Sequence, residues 1–211
     1  MKITQRISDY IKSTSLQSDN SVMLAASCVF FMSGILASAF LGRLPFFSQE
    51  VSDMILVEAS GFYFKLNAGF LEYFIDMLKA DILSVLFIVI AAHFAFGFII
   101  APCFLCLRGA VFALVLQNHL LSEGSVAAGI LSGAGAIVYF VLSSAVLIFA
   151  AGRSAGMSGM IFGSLVSGRQ HNELSVLYGR YLFRTVLSMV FIAAADVMGA
   201  LSSSFILGNF H

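Results

Sequence analysis

The chain has 211 residues, 60% of them hydrophobic and 10% charged, with a mean hydropathy of +0.98. Eleven basic and eleven acidic residues cancel, which leaves no basic footprint for nucleic acid. The cysteines Cys28, Cys103 and Cys106 all lie in apolar segments, so no extracellular disulfide framework is expected.

A membrane span needs ~20 mainly apolar residues, because the hydrocarbon core is ~30 Å thick and a helix rises ~1.5 Å per residue. The first such run is Val22–Leu41, preceded by Lys2, Arg6 and Lys12. Ala37-Ser38-Ala39 resembles a cleavage site. The apolar run is nevertheless longer than a signal-peptide core, so an uncleaved anchor is expected.

A mixed segment follows, Arg43 to Asp81, in which Arg43, Lys65 and Lys79 face Glu50, Asp53, Glu58, Glu72, Asp76 and Asp81. Val51–Ala59 and Phe70–Leu78 carry apolar residues at i, i+3, i+4 spacing, which predicts amphipathic helices on the outer surface.

From Ile82 to Gly152 the formally charged residues are Arg108 and Glu123 alone. Three spans fit here: Ile82–Ala101, Cys103–Leu121 and Val126–Ala151, with a weak polar turn at Ser122–Ser125. A hairpin marked by Gly97, Pro102 and Gly109 is expected to turn at Ala101-Pro102. Backbone turning inside a membrane must be sheltered by protein, so the other spans are expected to surround it.

Gly152–Tyr181 is polar and basic, and Ser154–Gly168 reads as a re-entrant or interfacial helix. A last span covers Arg184–Leu207. The expected fold is therefore an all-α, polytopic transmembrane bundle of about five spans, one integral membrane domain over residues 1–211. Five spans in 211 residues leave little chain for a separate soluble domain, so a large catalytic or nucleic-acid-binding module is not expected. Lys2, Arg6, Lys12, Arg153, Arg169, Arg180 and Arg184 gather on one side if the N-terminus is cytoplasmic and the C-terminus outside, as the positive-inside rule favours.

Three ionisable groups fall in the expected spans: His93, Arg108 and Asp196. Their expected depths from the inner side are roughly 12, 9 and 18 Å. A charge at such depth costs at least ~2.5–3.5 kcal/mol on insertion scales, so it needs a partner or a wet cavity. A polar cluster of Arg108 and Asp196, with His93 nearby, is expected, either structural or serving transport. The competing readings are an Arg108 that snorkels to the headgroups and a His93 that is a satisfied packing residue.

Cys103 and Cys106 have the spacing of a dithiol redox centre, but free Cys is also an ordinary small apolar residue in spans. No Cys/His cluster completes a metal shell, and no catalytic signature appears. Neither a cofactor nor a metal is expected. Ser33-Gly34 with Ala37 and Ser38, Ser132–Ala136 and Gly156-x-x-Gly159-x-x-x-Gly163 are read as close-packing faces, and Ser143-Ser144 as hydrogen-bonding across helices.

Phe30-Phe31-Met32-Ser33-Gly34-Ile35-Leu36, an outer loop of some forty residues, Phe96–Pro102 and then Leu105-Cys106-Leu107-Arg108-Gly109-Ala110-Val111 form an ordered pattern. Over most of residues 22–165 it resembles the stage II sporulation protein M family. The family's Pro-Asn-like element in the fourth span is missing from Ala136–Phe140. The resemblance implies a non-enzymatic scaffold in a bacterial cell membrane, inner or mother-cell. Its implied partners are the lipid bilayer and the peptidoglycan hydrolases of engulfment and cell-wall remodelling, which carry the chemistry. A homo-oligomer stays open. The alternative reading is a small-solute transporter or permease subunit using Arg108, Asp196 and His93.

Overall fold

The computed structural model describes the backbone of residues 2–41, 70–122, 126–167 and 174–209, and side chains within 21–40, 70–117, 137–166 and 178–201 except Tyr73 and Val115. Among these residues there are five helices and no strand. They are α1 Lys2–Leu41, α2 Phe70–Ala92, α3 Gly97–Ser122, α4 Val126–Ser167 and α5 Leu174–Asn209. The expected outer-surface helix at Val51–Ala59 and the turn at Glu123–Ser125 lie outside the described residues.

Four helices carry a stretch long and apolar enough to cross a membrane: Ser21–Phe40, Gly97–Leu114, Ile137–Val166 and Tyr178–Leu201. Burial is inverted relative to a water-soluble domain. Val29, Leu36, Phe40, Leu83, Leu107 and Phe183 are exposed, while Ser27, Ser84, Arg108, Ser154, Ser158 and Asp196 are buried. Apolar side chains facing outward cost nothing in hydrocarbon, whereas polar groups there must be paired or hidden. This is a helical membrane bundle.

α2 is about 34 Å long at ~1.5 Å per residue. Asp76, Lys79 and Asp81 in its middle keep it out of the apolar set. Its outer face carries Leu71, Ile75, Leu83, Leu86, Phe87 and Ile90, with Glu72 and Lys79 exposed in its first half, and its inner face holds Met77, Asp81, Val85 and Ile88. The expected loop 43–81 is thus helical from Phe70 onward. The apolar stripe Phe70–Leu78 belongs to the outward face of this helix.

Neighbouring side chains fix the directions. Phe98 meets Ser158 and Phe112 meets Phe140, so α3 and α4 are antiparallel. Asp81 meets Tyr139 and Ile88 meets Ser154, so α2 runs with α4. α1, α3 and α5 point one way, α2 and α4 the other. α4 touches every other helix, and α1, α3, α2 and α5 line up around it in that order; among the described residues α1 does not reach α5. The centre is therefore α4, and not the α2–α3 hairpin as expected. Small residues allow it: Ala150, Ala151, Gly152, Ser154, Ala155 and Gly156 are all buried on α4, where tight packing rather than the hydrophobic effect joins helices.

The α2–α3 turn lies at His93–Phe96, and Pro102 sits buried inside α3. Gly97 decides the position, because a Cβ there would stand 1.7 Å from the Ala91 carbonyl oxygen. Only a residue without a side chain lets the chain fold back so closely. Pro102, the sixth residue of α3, forfeits the bond its N–H would make to the Phe98 carbonyl, yet the helix runs through it. Gly109 is no turn residue either. Together with Gly34 it brings α1 and α3 backbones into contact: a Cβ on Gly34 would lie 1.8 Å from the Cys106 carbonyl oxygen, and one on Gly109 2.3 Å from that of Phe31.

Two further boundaries move. α4 continues unbroken to Ser167, so Ser154–Gly168 is not re-entrant but the end of the central helix, with Gly168 itself outside the described residues. α5 begins at Leu174, ten residues before the expected last span. Of the glycine stripe on α4, Gly159 approaches Met23 while Gly163 faces open space. The side chains of Ser132–Ala136 are outside the described residues.

Candidate functional site

The centre of the bundle holds an ionic cluster. Arg108 Nη2 on α3 donates to Asp81 Oδ1 on α2, and the Tyr139 hydroxyl on α4 donates to Asp81 Oδ2 at 3.1 Å. Arg108 is 5% exposed, Asp81 and Tyr139 not at all. Arg108 therefore does not snorkel, and its partner is not the expected Asp196. A carboxylate accepting from a guanidinium and a hydroxyl is well satisfied, which is what makes an ion pair tolerable away from water.

Asp196 on α5 is fully buried beside this pair, near enough for the charges of Asp81 and Arg108 to act on it. One turn further on, Gly199 packs against the Tyr139 side chain, where a Cβ would sit 2.7 Å from that of Tyr139. Neither carboxylate oxygen of Asp196 makes a hydrogen bond among the described residues. The cluster thus joins four helices, with three members bonded and one not.

His93 is elsewhere. It lies exposed in the α2–α3 turn, with Nδ1 2.8 Å from the Val89 carbonyl oxygen and Nε2 2.7 Å from the Tyr178 hydroxyl. A carbonyl can only accept, so Nδ1 carries the proton and Nε2 accepts from Tyr178. This ties the turn to the start of α5. Ser158 of α4 secures the turn from the other side: its hydroxyl donates to the Phe94 carbonyl at 2.5 Å and accepts from the Phe98 N–H at 2.9 Å. Ser154, one turn earlier, donates to the Ile88 carbonyl at 2.5 Å.

The cysteines are free. Cys103 faces outward and Cys106 approaches Ser33, whose Oγ is 3.5 Å from Sγ. The pair is thus split between an outer and an interhelical position on α3. Ser143 is buried with its hydroxyl unbonded among the described residues, so it does not form the cross-helix bond expected of it. No group of three or more His, Cys, Asp or Glu able to hold a metal occurs among the described residues.

Asp81 and Tyr139 were not among the sequence candidates. The signal for Asp81 is the spacing of the buried face of α2, in which Met77, Asp81, Ser84, Val85 and Ile88 recur every three or four residues. Tyr139 carries no comparable signal in a chain with 22 Phe and 6 Tyr.

No family model, curated protein or solved structure matches this chain.

Proposed function

We propose that the protein is a non-enzymatic membrane scaffold. The observation that supports this reading is that the Arg108, Asp81 and Tyr139 side chains are buried and bonded to one another across α2, α3 and α4. Bonds of this kind tie helices together, as a structural core requires. The resemblance of residues 22–165 to the stage II sporulation protein M family supplies the finer proposal. On it, the bundle sits in a bacterial cell membrane with its N-terminus in the cytoplasm and organises peptidoglycan hydrolases during engulfment.

A second reading is favoured by one observation, the unbonded Asp196 buried at the same level. A carrier using Arg108 and Asp196 would need that carboxylate to meet a solute or an ion. His93, in the turn and held by Tyr178, is no part of such a pathway.

Crosslinking and co-purification from membranes of the source organism, together with a deletion strain, test the proposal. Recovery of wall hydrolases and an engulfment defect are the expected results. Solute-dependent flux in liposomes that is abolished by Asp196→Asn would replace the scaffold with a carrier.

A further inference from the structure

Two carboxylates in the membrane-embedded centre, Asp81 and Asp196, face one guanidinium, Arg108, and one phenol, Tyr139. These groups come from every helix packed against α5: α2 supplies Asp81, α4 supplies Tyr139, and Arg108 reaches in from α3. With both carboxylates ionised the buried site carries a net negative charge. Burying an uncompensated charge is costly against the small net stability of a folded protein. The unbonded member is Asp196, both of whose oxygens are buried.

Among the described residues facing Asp196, Arg108 is the one cation, and it is already engaged by Asp81. Adding one proton changes this balance. A protonated carboxyl gains an O–H donor, and Asp81 retains acceptor capacity beyond the Arg108 and Tyr139 bonds, since a carboxylate offers about four lone-pair sites. The charge then sums to zero and the orphaned oxygens of Asp196 acquire a partner. A metal cation fits less well, because hard cations take roughly six or more oxygen ligands and two of the four carboxylate oxygens are already occupied.

We propose that the Asp81–Arg108–Tyr139–Asp196 cluster is a proton-binding site, which holds one proton between Asp196 and Asp81 in the assembled bundle. Release of that proton sets two carboxylates against one guanidinium and pushes α5 away from α2, so occupancy of the site is coupled to helix packing. The site follows from the charges and their burial, and is independent of whether the protein serves as a scaffold or a carrier.

Infrared spectroscopy of the purified protein in nanodiscs at neutral pH tests it. The expected result is the C=O stretch of one protonated aspartic acid, identified by carbon-13 labelling of Asp, shifted in heavy water and indifferent to sodium. Asp196→Asn should remove the band, and Arg108→Met should double it, because losing the guanidinium calls for a second proton. Absence of the band in the wild-type protein, or its disappearance when sodium is added, overturns the proposal. The wild-type spectrum decides the matter even if a variant does not fold.

Discussion

Arg108 and Asp81, 27 residues apart in the chain, meet as an ion pair whose side chains are 6% and 0% exposed. Asp81→Asn takes from Arg108 the carboxylate it is bonded to and leaves it the unbonded Asp196 nearby. It should cost up to roughly 3–5 kcal/mol, by analogy with buried pairs in soluble proteins. The exposed pair Lys79–Asp76, at 3.7 Å with side chains 70% and 32% exposed, is the contrast: Asp76→Asn should cost about 1 kcal/mol or less. Thermal unfolding in detergent separates the two. Replacing both members, Asp81→Leu with Arg108→Met, should be milder than Asp81→Asn alone.

Gly34→Ala should loosen the α1–α3 contact, since the added carbon meets the rigid Cys106 backbone rather than a movable side chain. Overpacking of this kind costs typically ~1–3 kcal/mol. Gly179→Ala, with nothing within 4 Å of the added carbon, should instead stabilise by ~0.5–1 kcal/mol through helix propensity. Opposite signs in unfolding temperature are the expected outcome.

The α2–α3 turn is held from two sides, and the two attachments should differ in strength. Ser158→Ala strands the Phe98 N–H, while the Phe94 carbonyl keeps the Gly97 N–H, at ~1–3 kcal/mol for a buried group left unbonded. Tyr178→Phe removes a bond to an exposed His93 and should cost nearer ~0.5–1 kcal/mol. Amide hydrogen exchange at residues 93–98 reads both, with the larger acceleration expected for Ser158→Ala.

Orientation can be tested with single cysteines. On the N-cytoplasmic proposal, Ser167→Cys at the end of α4 should be labelled from the cytoplasmic side, and Ser52→Cys from the opposite side. Labelling of both from one face would rule out this topology.

Much of the fold was legible because bilayer-facing helices cannot hide their composition. The class follows from apolar length alone, and the first expected span, Val22–Leu41, coincides with the apolar stretch Ser21–Phe40. Boundaries were lost wherever a polar or helix-breaking residue was read as an end. Asp81 looked like loop because it is charged, yet its charge is neutralised inside the bundle by Arg108. Pro102 looked like a turn because it breaks helices, but it stands near the start of one. Ser154–Gly168, taken by itself, is too short to span, yet its Ser154 and Ser158 are the residues that fasten α4 to the hairpin. At the site, Arg108 and Asp196 announced themselves as isolated charges. Their mutual arrangement did not, because it depends on α2 lying between α3 and α5, a neighbour relation that spacing along the chain does not encode.

The apolar stretch of α4 has a bearing on how far this helix extends past the membrane. Ile137–Val166 is 30 residues, about 45 Å at ~1.5 Å per residue, against a hydrocarbon thickness of ~30 Å. A tilt near the usual ~20° recovers only a few ångströms of that excess. Beyond the Ser158 attachment the helix still presents Phe162, Leu165 and Val166 outward, exposed by 37%, 69% and 72%. Arg153, half-buried and over the Phe149 ring, interrupts this stretch sixteen residues after Ile137, and its guanidinium belongs at the headgroups rather than in hydrocarbon. With the membrane boundary near Arg153, the end of α4 that carries Phe162, Leu165 and Val166 stands clear of the hydrocarbon as an apolar surface at the membrane face.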